Sequence, residues 1–456
     1  MKKIIAGLSL MISGVMFAQQ DFTLHQLTNT HQSTYVNVTN RPKAKISFGI
    51  PMLGGYYFNV GNSGFTYNDI ITVRQDDSLE INMDNVISAL KERNYITTNF
   101  QLDYLTAGFY FKKKHYITIN VTEKINSRFT YPKDLIVLLW EGNGKSLLGQ
   151  RANFDGIGYD FMQYREYAIG YNYELNDKWT VGGRVKYLKG ITNIYTKTSN
   201  LGMTTDEKTF DLTFDGEVDI YTSGVNELAD TNYTFDINQY MFKRNNSGFG
   251  VDLGASYQYS EKLKLFIDII DLGYIKWNYD TRNFKKDSLN FSFTGIDIKD
   301  FLGTDDTTSS QISQTLADSI DNIIQLQDYT GSYKTPLYTQ FYLGGEYELS
   351  QKITLSGIGH FEFIHGRFRP SMTVGARFKL TNFFTAVANY SAYNNSYLNF
   401  GVGLAANLGP IQWYFASNNV VGVFAPYLTK NAHFRTGINI LIGREKKQVA
   451  TQSQIE

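Results

Sequence analysis

The chain has 456 residues, with 43 Lys+Arg against 43 Asp+Glu, no cysteine, 39 glycines, 7 prolines and 15% aromatic residues. Zero cysteine excludes a disulfide framework, a thiol nucleophile and a cysteine-ligated metal. Zero net charge removes the electrostatic footprint of a nucleic-acid binder. A mean hydropathy of −0.29 is too polar for a bundle of membrane helices, whereas Tyr, Phe and Gly favour strands and close backbone approaches.

Lys2 and Lys3 precede an apolar run, Ile4 to Phe17, which ends at Ala18-Gln19-Gln20. A basic start, a short apolar core and a small residue before a polar break describe a secretory signal peptide over residues 1–18. No later run approaches the ~18 apolar residues a membrane helix needs, so the mature chain is expected to be exported and to cross no membrane as a helix. Residues 19–42 are polar and lack period-two alternation. They predict an N-terminal plug in a lumen, with His25, His31, Gln32, Tyr35 and Asn37 as its candidate residues.

From Lys43 onward the chain reads as long alternating strands. Leu398, Phe400, Val402, Leu404, Ala406 and Leu408 oppose Tyr397, Asn399, Gly401, Gly403, Ala405 and Asn407; Met372 to Leu380, Phe249 to Tyr259 and Leu337 to Leu349 repeat the pattern. Strict period two means one strand with two different environments on its faces. These strands run about 10–13 residues, beyond the usual ~5–6 of globular proteins and matched to the ~9–11 of a tilted membrane strand. One face is purely apolar with aromatics toward its ends, as in a lipid-facing barrel wall with interfacial girdles.

Four polar turns share a pattern: Tyr173 to Trp179, Tyr257 to Leu263, Tyr347 to Ile353 and Phe378 to Phe384. They predict tight hairpins at one rim, the periplasmic one in bacterial barrels, with long extracellular loops over 191–247 and 278–336 on the other. Short helices are expected at Asp84–Arg93, Pro132–Glu141 and Gln311–Gln327. The second is apolar on every side, which predicts burial at the rim or in the barrel mouth. The fold class is therefore all-β: a transmembrane antiparallel up-and-down barrel of about fourteen strands over 43–443, with an N-terminal plug, short helices in loops and a polar tail at 444–456.

Catalytic and cofactor signatures are missing from the sequence. Gly142-Asn-Gly144-Lys145-Ser146 has Leu139 where a P-loop needs its first glycine. The six histidines show no metal spacing, and no nucleophile-elbow G-x-S-x-G occurs. No enzyme activity and no cofactor are expected. Strand parity instead places a mixture of charges in the lumen, with Glu166, Asp252 and Glu346 against Arg184, Lys186, Arg377 and Lys379 as lumen-lining candidates. Such a mixture is unlike the single-sign ring of an ion-selective pore.

Gln32-Ser33-Thr34-Tyr35-Val36-Asn37 with Arg41-Pro42-Lys43-Ala44, Asn62 to Asp69, Pro132-Lys133-Asp134-Leu135, and Phe415 to Asn419 followed by Phe434 to Asn439 carry a resemblance. The mature chain resembles an outer-membrane β-barrel family of unknown function. That family is distantly similar to the long-chain fatty-acid transporters, fourteen-stranded barrels with an N-terminal hatch. Such hatches often read Asn-Pro-Ala; here the stretch is Asn37-Val38-Thr39. The resemblance implies a barrel in the outer membrane of a Gram-negative cell, contacting outer-membrane lipid and binding or passing hydrophobic small molecules. The competing expectation is a structural or accessory barrel whose loops engage an envelope protein of a secretion, motility or surface-protein machine. A continuous apolar pocket in the lumen beneath the Gln311–Gln327 loop would favour the first, and a salt-bridged solid interior the second.

Overall fold

The computed structural model describes residues 21–76, 78–226, 240, 245–293, 326–364, 367–393 and 396–443. The expected signal peptide, residues 311–325 of the third expected helix, His365 and the tail at 444–456 lie outside the described residues. Gln327, the last residue of that helix, opens a short strand, Gln327–Tyr329.

The wall is a closed antiparallel barrel of fourteen strands. In chain order these are β1 in two pieces (Ile46–Gly49 and Tyr56–Asn62), β2 (Arg93–Phe111), β3 (His115–Pro132), β4 (Gly158–Glu174), β5 (Trp179–Thr205), β6 (Asn246–Gln258), β7 (Leu263–Trp277), β8 in two pieces (Tyr333–Pro336 and Thr339–Ser350), β9 (Ile353–Ile364), β10 (Arg367–Lys379), β11 (Phe384–Tyr393), β12 (Ser396–Leu408), β13 (Ile411–Asn419) and β14 (Asn431–Ile442). Both pieces of β1 pair with β2 on one side and with β14 on the other, which closes the sheet and leaves no wall edge. The tight turns after β2, β4, β7's predecessor β6, β8, β10 and β12 all fall at one rim.

Exposure follows the alternation. Leu398, Phe400, Met372 and Val374 face outward and are exposed, while Asn399, Ala405, Ser371 and Thr373 face inward and are buried. The molecule is thus apolar outside and polar inside, the arrangement a strand needs when lipid rather than water covers its outer face. One expected parity is overturned. Leu337, read as outward with Thr339 and Phe341, is buried among Met162, Tyr164, Leu188, Ile275 and Trp277. The break in β8 between Pro336 and Thr339 reverses the alternation at that point.

The expected long loop at 191–247 is strand for much of its length. β5 runs on past the end of β6, and its far half pairs with Leu212–Ser223, which pairs with Asn283–Phe293 and so with Gln327–Tyr329. This meander extends the wall beyond the rim opposite the tight turns. Gly216 makes its bulge: φ is +142° and a Cβ would lie 1.9 Å from the carbonyl oxygen of Asn200, so no other residue fits there.

Two of the expected helices form, as Met83–Ala89 and Lys133–Glu141. The second is not buried all round, contrary to expectation. Val137 packs with Leu147, Ala152 and Met203, and Leu135 and Ile136 lie against Val86, Leu90 and Tyr131, but Leu139 and Trp140 are 73% and 54% exposed. A nine-residue helix at the rim has neighbours on one side only, so its far face stays uncovered.

Candidate functional site

The lumen is filled by the N-terminal plug and by a cluster of charges above it. The plug comprises a helical turn, Phe22–Gln26, and a 3-10 turn, His31–Tyr35. Almost every side chain from Asp21 to Asn40 is buried. Without strand partners, its backbone and side chains depend on the wall for hydrogen bonds, because an unpaired buried polar group costs about 1–3 kcal/mol.

Those bonds come from many directions. The Thr23 amide donates to Asn418 Oδ1 at 3.0 Å, and Asn389 Nδ2 donates to Thr23 Oγ1 at 3.0 Å. Gln32 and Asn439 exchange amide hydrogen bonds of 2.7 and 3.0 Å, and Gln32 Nε2 also donates to the Gly54 carbonyl, 2.8 Å away, at the break in β1. His31 bridges β1 and β2, with Nδ1 2.6 Å from Ser47 Oγ and Nε2 2.8 Å from Thr106 Oγ1. Tyr35 OH donates to Asp103 at 3.0 Å. The Val38 amide donates to Asp268 at 2.9 Å, and the Val38 carbonyl accepts from Asn172 at 3.0 Å. Asn37 bonds within the plug itself, through Ser33, Thr39 and Asn40.

Ion pairs reinforce the plug. Asp21 meets Arg435 at 2.7 Å and lies 3.5 Å from His433. Burial pushes the Asp21 carboxyl up, but the Arg435 guanidinium and His433 pull it down further, so it stays below the ordinary carboxylate range. Arg377 pairs with Glu346 at 3.0 Å and donates to the Gln26 carbonyl at 3.0 Å. His25 lies between Phe266 and Tyr342, with Nε2 3.8 Å from Asp268.

Above the plug, Glu166, Arg184, Lys186 and Asp252 come together with two residues that sequence reading did not single out, Lys124 and Asp271. Lys186 contacts Asp271 at 2.5 Å, Asp252 at 2.6 Å and Glu166 at 3.6 Å. Arg184 contacts Asp252 at 3.0 Å and Glu166 at 3.2 Å; Lys124 contacts Glu166 at 2.7 Å and Asp271 at 3.7 Å. Three cations face three anions, so the cluster is neutral and each desolvated charge has opposite neighbours. The Arg184 guanidinium also lies 4.9 Å over the Tyr35 ring, which couples cluster to plug.

Lys124 was legible from the parity of β3, where Asn120, Thr122 and Asn126 also face inward. Asp271 was not, because it has the wrong parity relative to Asp268 and Ile270. Its φ of +56° turns it inward, a left-handed conformation Asp tolerates better than most residues, and its amide donates to Asp252 at 2.8 Å. Lys379 stands apart from all of these: it is exposed at the tight-turn rim. Between plug and cluster remains a polar cavity of about 40 Å³, lined in part by Asp21, Tyr35, Lys124, Glu166 and Arg435. At ~10–15 Å³ per water this admits a few waters and nothing larger.

Several solved barrels are similar to this chain. The Pseudomonas putida toluene transporter TodX aligns at 10% identity over 90% of this chain and 91% of that one, with a TM-score of 0.39. The CymD monoaromatic hydrocarbon channel aligns at 8% identity over 94% and 98%, with a TM-score of 0.40. A Pseudomonas aeruginosa FadL homologue aligns at 9% identity over 94% and 99%, with a TM-score of 0.35. No curated protein matches the sequence. A family model covers residues 39–418, and the chain, a plugged fourteen-stranded barrel, belongs to that family of unknown function, DUF5723.

Proposed function

We propose that this protein is an outer-membrane barrel that binds or passes hydrophobic small molecules and is held shut by its own plug. The observation that carries this reading is the apolar seat beneath the plug. Phe22, Leu24, Leu27, Val36 and Val38 bury themselves against an inward-facing wall patch that includes Phe266, Ile270, Tyr342, Ile358, Val387, Tyr393 and Tyr414. Apolar side chains gather on the inner face at this patch and again around Trp277, and it is the first of these patches that the plug covers. The plug occupies the very surface that a hydrophobic ligand would use, and each of its fully buried side chains gains about 1.5–3 kcal/mol there. A ligand that covers the same wall patch offsets that loss when the plug withdraws.

The chain has no cysteine, so a single engineered pair can tether the plug. A Cβ built on Gly401 falls 2.7 Å from Thr23 Oγ1, within reach of a disulfide in a Thr23→Cys, Gly401→Cys variant. Uptake of an apolar fluorescent probe into proteoliposomes should stop when this pair is oxidised and return on reduction. Equal uptake in both states would sink the gating reading.

The neutral charge cluster favours a second reading, an accessory barrel with a solid interior whose outer loops hold an envelope protein. Native mass spectrometry of the detergent-extracted barrel separates the two. Co-purified lipid or apolar ligand supports transport, and a stoichiometric protein partner supports the accessory role.

A further inference from the structure

We propose that a second cavity, inside the barrel mouth at the rim opposite the tight turns, is a binding site for a carboxylated sugar of about one ring. It measures about 220 Å³, room for on the order of fifteen water-sized groups. Its wall is formed by the far ends of β2, β3, β4, β5 and β10, so it opens toward the exterior and lies away from both plug and lipid. Nothing in the hydrophobic-ligand reading requires it.

The lining is cationic. Arg93, Arg128, Lys197 and Arg369 face it, against a single lining carboxylate, Asp160. Two more carboxylates stand behind: Glu362, directly across from Arg369 in the β9–β10 ladder, and Asp219, 3.3 Å from Lys197. Four cations against three carboxylates leave one positive charge, which one carboxylate on a ligand would balance. Burial sharpens the demand at Arg128 and Arg369, which are 7% and 3% exposed, because a charge out of water is costly until it is paired. Lys197 stays half exposed.

Two polar groups await a partner. Arg128 is 7% exposed and its Nε makes no hydrogen bond; Ser199 is 7% exposed and its Oγ makes none. Both line the cavity. The guanidinium of Arg128 is fixed by stacking 5.5 Å over the Tyr95 ring and 5.8 Å over that of Tyr338, and Arg369 lies 5.3 Å over Tyr95. Rigidly held guanidinium donors suit a planar carboxylate. Beside them Thr130 and Ser199 present hydroxyls that both donate and accept, which matches the ring hydroxyls of a sugar and not an alkyl chain.

The test is calorimetric titration of the full-length, detergent-solubilised barrel with D-glucuronate, glucose, glucose 6-phosphate, inorganic phosphate and laurate at one ionic strength. Glucuronate is expected to bind at least tenfold more tightly than each of the others. Arg128→Gln should weaken it tenfold or more and Ser199→Ala about threefold, with both variants keeping the heat-modifiable gel mobility of a folded barrel. Should Arg128→Gln fail to fold, Ser199→Ala and Thr130→Val carry the test. The proposal is overturned if glucuronate does not bind, if neutral glucose, phosphate, glucose 6-phosphate or laurate binds as tightly, or if the folded variants bind it unchanged. Each of these results leaves the tether experiment on the plug unaffected.

Discussion

Lys186 shows what a charge in the lumen is worth. It lies wholly out of solvent between Asp252, Asp271 and Glu166, and its removal leaves three carboxylates facing two cations. Breaking a buried pair from one side costs about 3–5 kcal/mol, because the remaining charge is desolvated without compensation. Lys186→Met should lower the stability of the refolded barrel by that order, read as a fall in its urea midpoint. Lys379→Met, at the exposed rim, should stay within ~0.5 kcal/mol of the parent. Equal effects would mean that solvent reaches the cluster.

His31 makes the plug sensitive to acid. Burial pushes its imidazole down from 6.5 to about 3, and its ring nitrogens sit against the hydroxyls of Ser47 and Thr106, contacts that serve the neutral form. A depressed histidine favours the seated plug above pH 6.5, and that contribution is lost as the pH falls from 6.5 toward 3, at ~1.4 kcal/mol per unit. Asp21, itself held low, adds its loss only as the pH falls through and below its ordinary value near 3.8, so of the two the His31 loss stands alone between pH 6.5 and 4.5. Probe uptake should therefore rise between pH 6.5 and 4.5 in the parent and stay flat in His31→Gln. A rise that persists in the variant would assign the response to another group.

At the scale of elements, the wall could be read from the residues because an apolar outside and a polar lumen inside impose opposite chemistry on alternate positions. Leu398 and Asn399 carry that information each by itself. The inward charges Glu166, Arg184, Lys186 and Asp252 were legible for the same reason, and so were Arg377 and Glu346. Alternation fails where the backbone turns a side chain over: Asp271, rotated by a left-handed backbone, and Leu337, within the break in β8, both escaped it. Partnership escaped it too. Arg165 was not singled out, yet it pairs with Glu123 at 2.9 Å on the outward parity of β3 and β4, where the rings of Tyr104 and Tyr240 cover it at 5.1 and 5.3 Å. Period two marks the side of the wall on which a residue lies, whereas its cover is set by segments far away in sequence. The plug was visible only as polar sequence without period; its seat on Phe266, Tyr342 and Val387 depends on a turn that has no periodicity to read.

For the whole molecule, closure rests on two layers, the plug and the cluster above it, with only a water-sized cavity between them. The plug hangs from the wall at both ends: Asp21 on Arg435, and Arg41 on Glu174 near the tight-turn rim. Arg41 stands directly before the first wall strand, so that end cannot travel far. With residues 1–18 cleaved as the sequence leads one to expect, Asp21 is the end that can leave, and Arg435, 3% exposed and also 3.0 Å from Gln101, is its clasp. Arg435→Leu would leave the Asp21 carboxylate buried without its strongest partner, a state that favours withdrawal of the helical turn at Phe22–Gln26 into water. Such withdrawal uncovers the wall patch of Tyr342, Val387 and Tyr393 that Phe22 and Leu24 cover, together with Asn389 and Asn418, which bond Thr23. Planar-bilayer recordings should find the parent almost silent and Arg435→Leu flickering open, and the oxidised Thr23–Gly401 cysteine tether in the same chain should silence it again. If the openings survive the tether, the leak runs through the charge cluster or around the plug, and Asp21–Arg435 is a fastening of the fold with no part in the gate.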